Sequence, residues 1–328
     1  MYKYKLLIIS LVLCLTANMV FAQNIVLQIG STAPANSPWD LGLKKLAAEW
    51  SSISGGRVKI AFPKSVSSSS QEDLIQKLKF NLDGVILDTT GLGLIENDAY
   101  FLSMPSVIRN NSEYDTVMNA AIPLIKNKIG DRYEFIAAAK GGWIYFFSNQ
   151  EINTPDDLRK VRMGVNRNME NITRLFQSIG VRTVKADSSS TLLQFNSGAL
   201  DAMYSSPLFV AALWSQYKRV ISHMTAYPLA PFFGALIINS RSWNRIPDDL
   251  KARLIASAEK VFKEIGEQSD KLEMEAIGTM KANGLTVSAA SELNNKIWNS
   301  FYNEKLNSDV IMWFSEDFVK SILKVTGR

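Results

Sequence analysis

Residues 141–166 read GGWIYFFSNQEINTPDDLRKVRMGVN, and the order of residue types in this stretch decides the fold class. Trp143 to Phe147 is an aromatic, β-rich run preceded by Gly141-Gly142, and it turns polar at Ser148-Asn149. Thr154-Pro155-Asp156-Asp157-Leu158 then has the form of a helix start, with Thr as N-cap, Pro at the first helical position and acids in the first turn. A second β-like run covers Val161 to Val165. Strand, capped helix, strand is the pattern of a wound α/β protein.

The same alternation extends in both directions. Toward the N-terminus the pattern predicts a strand over Asn24–Ser31, an amphipathic helix over Trp39–Ser51 (Leu41, Leu43, Leu46, Ala47 and Trp50 at helical spacing), and a stop at Ser54-Gly55-Gly56. A strand over Val58–Pro63, a polar loop over Lys64–Ser70, a helix over Gln71–Phe80 and a buried parallel strand over Leu82–Thr89 follow. Toward the C-terminus, helices over Met169–Ile179 and Ser188–Ser197 end at Gly180 and Gly198, each before an apolar strand, Val181–Val184 and Leu200–Tyr204. Ile172, Leu175, Phe176 and Ile179 are expected in the core, with Leu192, Leu193 and Phe195. Trp243–Asn283 reads as one helix stepped by Leu250, Leu254, Ala258, Val261 and Ile265 and closed by Gly284. At 1.5 Å per residue such a helix is ~60 Å long, which exceeds one domain and implies that it runs along two. Trp298, Phe301, Tyr302, Trp313 and Phe314 are packing residues of a C-terminal helical tail. No long linker interrupts the chain, so the two α/β units meet at a hinge.

The first residues read as an export signal. Lys3 and Lys5 form a basic start, Leu6–Leu15 is apolar but short for a bilayer span, and Val20-Phe21-Ala22 matches a cleavage pattern, so the mature chain is expected to be exported, starting near Gln23. Cys14 is the only cysteine, so a chain cut there has no disulfide, thiolate metal site or cysteine nucleophile. Removing Lys3 and Lys5 from the formal charge of +5 leaves +3, and no block of like charge stands out, which argues against nucleic acid as a partner.

Enzymatic chemistry lacks a constellation. His223 is the only histidine, with no G-x-S-x-G elbow to supply a serine. Phosphate-binding glycine motifs are absent, and Gly91-Leu92-Gly93 is too short a match. No carboxylate spacing singles out an acid/base pair and no metal ligands cluster, so no cofactor or metal is expected. Asp83, Asp88 and Asp201 sit in or beside strands, where capping or ion pairing is the expected role.

With these residues in place, the chain resembles the solute receptors of tripartite ATP-independent periplasmic (TRAP) transporters, the DctP-like P-subunit family, as a divergent member. Ser54-Gly55-Gly56-Arg57-Val58-Lys59-Ile60 with Phe62-Pro63 is similar to the family's SGGRIKV..FP, and Thr154–Leu158 with Val161-Arg162-Met163 to its TPEDLKGLKIRV. Asn196–Asp201 is similar to QTGVVDG, and Ile246–Leu250 to the LPEDL that opens the long helix. The resemblance implies a two-domain periplasmic binding protein fold, with strands crossing at a hinge and a long helix spanning both domains. After a signal peptide over 1–22, the approximate division is 23–141 plus 230–269 for domain I and 142–229 plus 270–328 for domain II. It also implies a non-enzymatic receptor that closes on a small molecule between the domains and docks on a small and a large membrane subunit. Some relatives work instead with a tetratricopeptide-repeat periplasmic partner, which makes a lipid or hydrophobic-ligand module the competing reading.

The departures from the family concern charge. The arginine that holds a substrate carboxylate in the family aligns with Gly164, and a second arginine position aligns with Ile144. Arg162 shares a face with Gly164 but lies ~6.6 Å back along the strand. By the same alignment the cleft is expected to draw on Trp39, Leu87, Asp88, Trp143, Ile144, Tyr145, Arg162, Gly164, Asn166, Met203, Tyr204, Ser205, Phe232 and Phe233. A wall so rich in carbon disfavours a naked anion, and covering about 200 Å2 of apolar ligand surface at ~25 cal/mol per Å2 is worth roughly 5 kcal/mol. The expected ligand is therefore apolar or amphipathic. The alternative is a carboxylate held by Arg162 or Arg167.

Overall fold

The computed structural model describes residues 24–166, 169–186, 190–288, 291–305 and 311–327. The expected signal segment and Arg167 lie outside them. The chain begins with strand β1 (Ile25–Gly30) and helix α1 (Pro38–Ile53), whose N-cap Ser37 accepts from the Asp40 amide while Pro38 sits in the first turn. After β2 (Val58–Ala61), α2 (Gln71–Phe80) opens on a reciprocal capping box between Ser70 and Asp73. Strand β3 (Gly84–Asp88) is followed by α3 (Thr89–Ile95), α4 (Asn97–Phe101) and α5 (Asn111–Ile129).

The stretch around Gly141 belongs to one 16-residue strand, β4 (Tyr133–Ser148). Helix α6 (Pro155–Leu158) has the expected capping box, Thr154 with Asp157, and leads to β5 (Arg162–Asn166). Next come α7 (Glu170–Ser178), β6 (Arg182–Ala186), α8 (Thr191–Asn196), β7 (Ala202–Ser205), α9 (Pro207–Ala212) and α10 (Trp214–Tyr217). The chain continues through β8 (His223–Met224), β9 (Ala230–Asn239), α11 (Ser240–Trp243) and α12 (Asp248–Ala282). It closes with β10 (Thr286–Val287), α13 (Glu292–Lys305) and α14 (Glu316–Val325).

The strands form one curled sheet in the order β2-β1-β3-β9-β4-β7-β5-β6, with β8 attached to β4 and β10 to β8. Strands β4 and β5, consecutive in the chain, are separated in the sheet by β7, which runs antiparallel to β4 and parallel to β5. Strand β4 serves both halves. Tyr133–Ile144 pairs with β9, and Tyr145–Ser148 pairs with β7. Between Lys140 and Trp143 its register against β9 shifts, which bends the strand where it passes from one half to the other.

Helix α12 packs on α1 and on β4, burying Leu250, Leu254, Ala258, Val261 and Ile265 along the expected stripe. Trp50 is fully buried against it and donates its indole N–H to the Leu254 carbonyl at 3.0 Å. Three expectations are corrected. The long helix starts at Asp248, because α11 ends at Trp243 and Pro247 holds an extended N-cap; its 35 residues span ~53 Å. Strand β3 is parallel to β1 on one side and antiparallel to β9 on the other. Leu193, placed in the core by helical spacing, is 70% exposed, since α8 turns Phe195 inward instead.

Candidate functional site

The cleft lies where the carboxyl ends of the parallel strands meet the crossing strands, the usual place for a ligand in an open α/β sheet. Thr32 follows β1, Asp88, Thr89 and Thr90 end β3, Asn166 ends β5, Ala186 ends β6, and Ser205 and Ser206 end β7. Ile144 of β4, Phe232 and Pro231 of β9, and Ser103, Met169, Thr191 and Phe209 complete the wall of a cavity of about 520 Å3.

Eight of the residues picked from sequence line this cavity: Asp88, Ile144, Gly164, Asn166, Met203, Tyr204, Ser205 and Phe232. Strand alternation accounts for most of the others. Trp143 and Tyr145 flank Ile144 on the opposite face of β4, where the Trp143 amide donates to Glu273 Oε2 at 2.6 Å and the Tyr145 hydroxyl lies 3.5 Å from Oε1. Phe233, beside Phe232, is buried in the core, and Leu87, beside Asp88, is likewise fully buried. Trp39 stands behind the wall, edge-on to Phe262 with ring centroids 5.5 Å apart.

Arg162 is corrected outright. It sits at the start of β5, far from the strand's carboxyl end, and makes a bidentate pair with Asp201, Nε to Oδ2 at 2.7 Å and Nη2 to Oδ1 at 2.8 Å. That pairing, reinforced by the Arg162 amide, holds the Asp201 carboxyl down at about 2. Arg162 is therefore spent on an ion pair outside the cleft. Arg167, the other candidate, lies outside the described residues.

Four of the lining residues that the sequence reading missed share one signal, their position just after a strand. Thr32, Thr89, Thr90 and Ser206 are strand-end hydroxyls, and counting to the carboxyl end of each predicted strand would have found them. Ser103, in the turn after α4, and Phe209, in α9, reach the cavity through tertiary packing.

Electrostatically the cleft is lopsided. Among the described lining residues none is basic, and one, Asp88, is acidic. Asp88 Oδ1 accepts from the Thr90 and Gly91 amides at 2.9 and 3.0 Å and so caps α3, while its own amide donates to Gln71 Oε1. Burial pushes the Asp88 carboxyl up, and the two capping amides oppose that rise. Nearby, Ser103 Oγ and the Tyr100 hydroxyl are buried without a hydrogen-bond partner among the described residues. Tyr204 is held between Phe146 and Phe176, with ring centroids 6.2 and 5.9 Å away.

The features that would support enzymatic turnover do not converge here. His223 shares its Nδ1 with Ser222 Oγ at 2.8 Å on β8. Among the described residues no group of three or more His, Cys, Asp or Glu could hold a metal ion, and no helix is long and apolar enough to cross a membrane. Asp83 accepts from the Gln28 amide, Ser242 and Arg245, so the three strand-side aspartates cap or pair as expected.

Comparison with known proteins places this architecture. No curated protein sequence matches the chain. Among solved structures it is similar to a TRAP periplasmic solute binding protein from Ochrobactrum anthropi whose C-terminus is bound in the ligand binding pocket (TM-score 0.81, 15% identity, 93% of this chain and 97% of that one). One from Desulfovibrio salexigens with bound orotic acid has a TM-score of 0.79 at 14% identity, over 93% and 98% of the two chains. Another from Roseobacter denitrificans with bound β-D-glucuronate has a TM-score of 0.75 at 16% identity, over 90% and 98%. At these identities the likeness is one of fold, the two-domain fold of periplasmic binding proteins. The family model for bacterial extracellular solute-binding proteins, family 7 (DctP), matches residues 29–308. Its members are substrate-binding receptors, not enzymes, and this chain belongs to that family.

Proposed function

We propose that the protein is the periplasmic receptor of a TRAP-type secondary transporter, exported by a signal peptide cleaved near Ala22, that captures a small apolar or amphipathic organic molecule and delivers it to a small and a large membrane subunit. One observation carries the ligand class. The two positions aligned with the family's arginines, Ile144 and Gly164, both open on the cleft, and no described lining residue replaces their charge. A carboxylate buried there would meet only neutral hydroxyl and amide donors, with no cation among the described lining residues to offset its lost hydration. Ile144, Met203, Phe209 and Phe232 offer carbon instead.

Closure is proposed at the crossing strand β4, near the register shift between Lys140 and Trp143, with domain I over 23–141 and 230–269 and domain II over 142–229 and 270–328. A second reading holds a carboxylate through Arg167, one residue beyond the cleft-lining Asn166; the acids bound by the structural relatives favour it. Mass spectrometry of small molecules released from natively purified protein separates the two. A neutral or amphipathic compound is expected. An organic acid whose binding disappears on Arg167→Met would overturn the ligand class.

A further inference from the structure

The polar end of the cleft points to a more specific ligand, on the premise that the cleft takes no naked anion. Asp88 lines the cavity together with Thr32, Thr90 and Ser103, and no basic side chain pairs with it among the described residues. Its Oδ1 already occupies the amides at the start of α3, so those donors are closed to an incoming acid. Glu72 adds to the negative potential at this end. Ser103, another residue of the cavity wall, is only 4% exposed, and its buried hydroxyl has no hydrogen-bond partner among the described residues. A carboxylate and an unanswered hydroxyl beside an apolar wall ask for a ligand that donates hydrogen bonds at one end and carries carbon at the other.

We propose that the cleft recognises an amphipathic amine, its ammonium group seated on Asp88 with the Ser103 hydroxyl beside it, and its carbon body against Ile144, Met203 and Phe232. An ammonium group has only donors to offer, which suits an acceptor-only carboxylate, and the charge of the pair cancels as it is desolvated. The arrangement inverts the polarity of an arginine clamp.

The test uses the full mature protein, freed of co-purified ligand by unfolding and refolding, and three compounds matched in carbon body: 2-phenylethylamine, 2-phenylethanol and 3-phenylpropanoate. Isothermal titration calorimetry is expected to rank the amine first. Asp88→Asn, which keeps a good helix cap, is expected to weaken the amine about ten- to hundredfold while Phe232→Ala weakens amine and alcohol alike. An alcohol that binds as well as the amine, or an Asp88→Asn protein that binds the amine like wild type, overturns the amine assignment and leaves the non-anionic cleft standing. An acid that binds best overturns both. Failure of all three to bind overturns the amine assignment, and the cleft reading then answers to the co-purified molecules alone. Should Asp88→Asn fail to fold, the wild-type ranking still decides.

Discussion

Glu273 gives the sharpest stability prediction. It projects from the C-terminal half of α12 onto the crossing of β4, is 4% exposed, and accepts the Trp143 amide at 2.6 Å. Burial raises its carboxyl from 4.5 to about 7; Asp270 adds to the rise, and the Trp143 amide, Lys140 and Tyr145 oppose it. A raised carboxylate means that the folded state holds the proton more tightly than the unfolded state. Its contribution to stability is therefore fully present below pH ~4.5 and is lost as pH climbs to about 7. The gap, at ~1.36 kcal/mol per pH unit, is worth about 3 kcal/mol. Glu273→Gln keeps an acceptor for the Trp143 amide but removes the proton. Lys140 and Asp270 stay in both proteins, so only their coupling to the Glu273 charge differs between the two. Urea unfolding from pH 4.5 to 8 should show wild type losing about 3 kcal/mol relative to the variant across the window. Parallel pH profiles for the two proteins would refute the burial argument.

Other outcomes follow from the same geometry. Gly142 has φ +107, and a Cβ there would stand 2.2 Å from Glu273 Oε2, so Gly142→Ala should cost more than ~2 kcal/mol in denaturant unfolding. Arg162→Met should leave the affinity for any cleft ligand unchanged by calorimetry, while the Asp201 carboxyl, followed by NMR, climbs from about 2 toward its ordinary value. Ile144→Arg places a cation at the cleft wall and should raise affinity for 3-phenylpropanoate by about tenfold or more. Asp157→Ala, which removes the capping box at α6, should lower stability by about 1 kcal/mol in thermal melts.

What was legible in the sequence divides along a physical line. The capped helices were plain because their signals are local: Thr154-Pro155 with Asp157, Ser70 with Asp73, and the stripe from Leu250 to Ile265 each depend on neighbours within a turn or two. Residues 90–129, by contrast, drew no helix or strand assignment. Glycines at 91 and 93 sit inside α3, where sequence argues against a helix and the surrounding core holds one. The full length of β4 was hidden for a related reason: its first half, Tyr133–Lys140, is a strand because β9 pairs with it from a hundred residues away.

The cleft shows the same division. Sequence alone pointed to the family pattern and to the carbon-rich character of Ile144, Met203, Tyr204 and Phe232, because those follow from residue identity. Which side chains face the cavity was decided by tertiary structure. Strand pleat sends Ile144 into the cleft and turns Tyr145 toward Glu273 and the Trp143 indole onto Asn111, and the sheet order inserts β7 between β4 and β5. Arg162 reads from sequence as a free cation. Only the fold shows Asp201, 39 residues away, taking both ends of its guanidinium, because the pairing of β5 with β7 brings the two strand starts together.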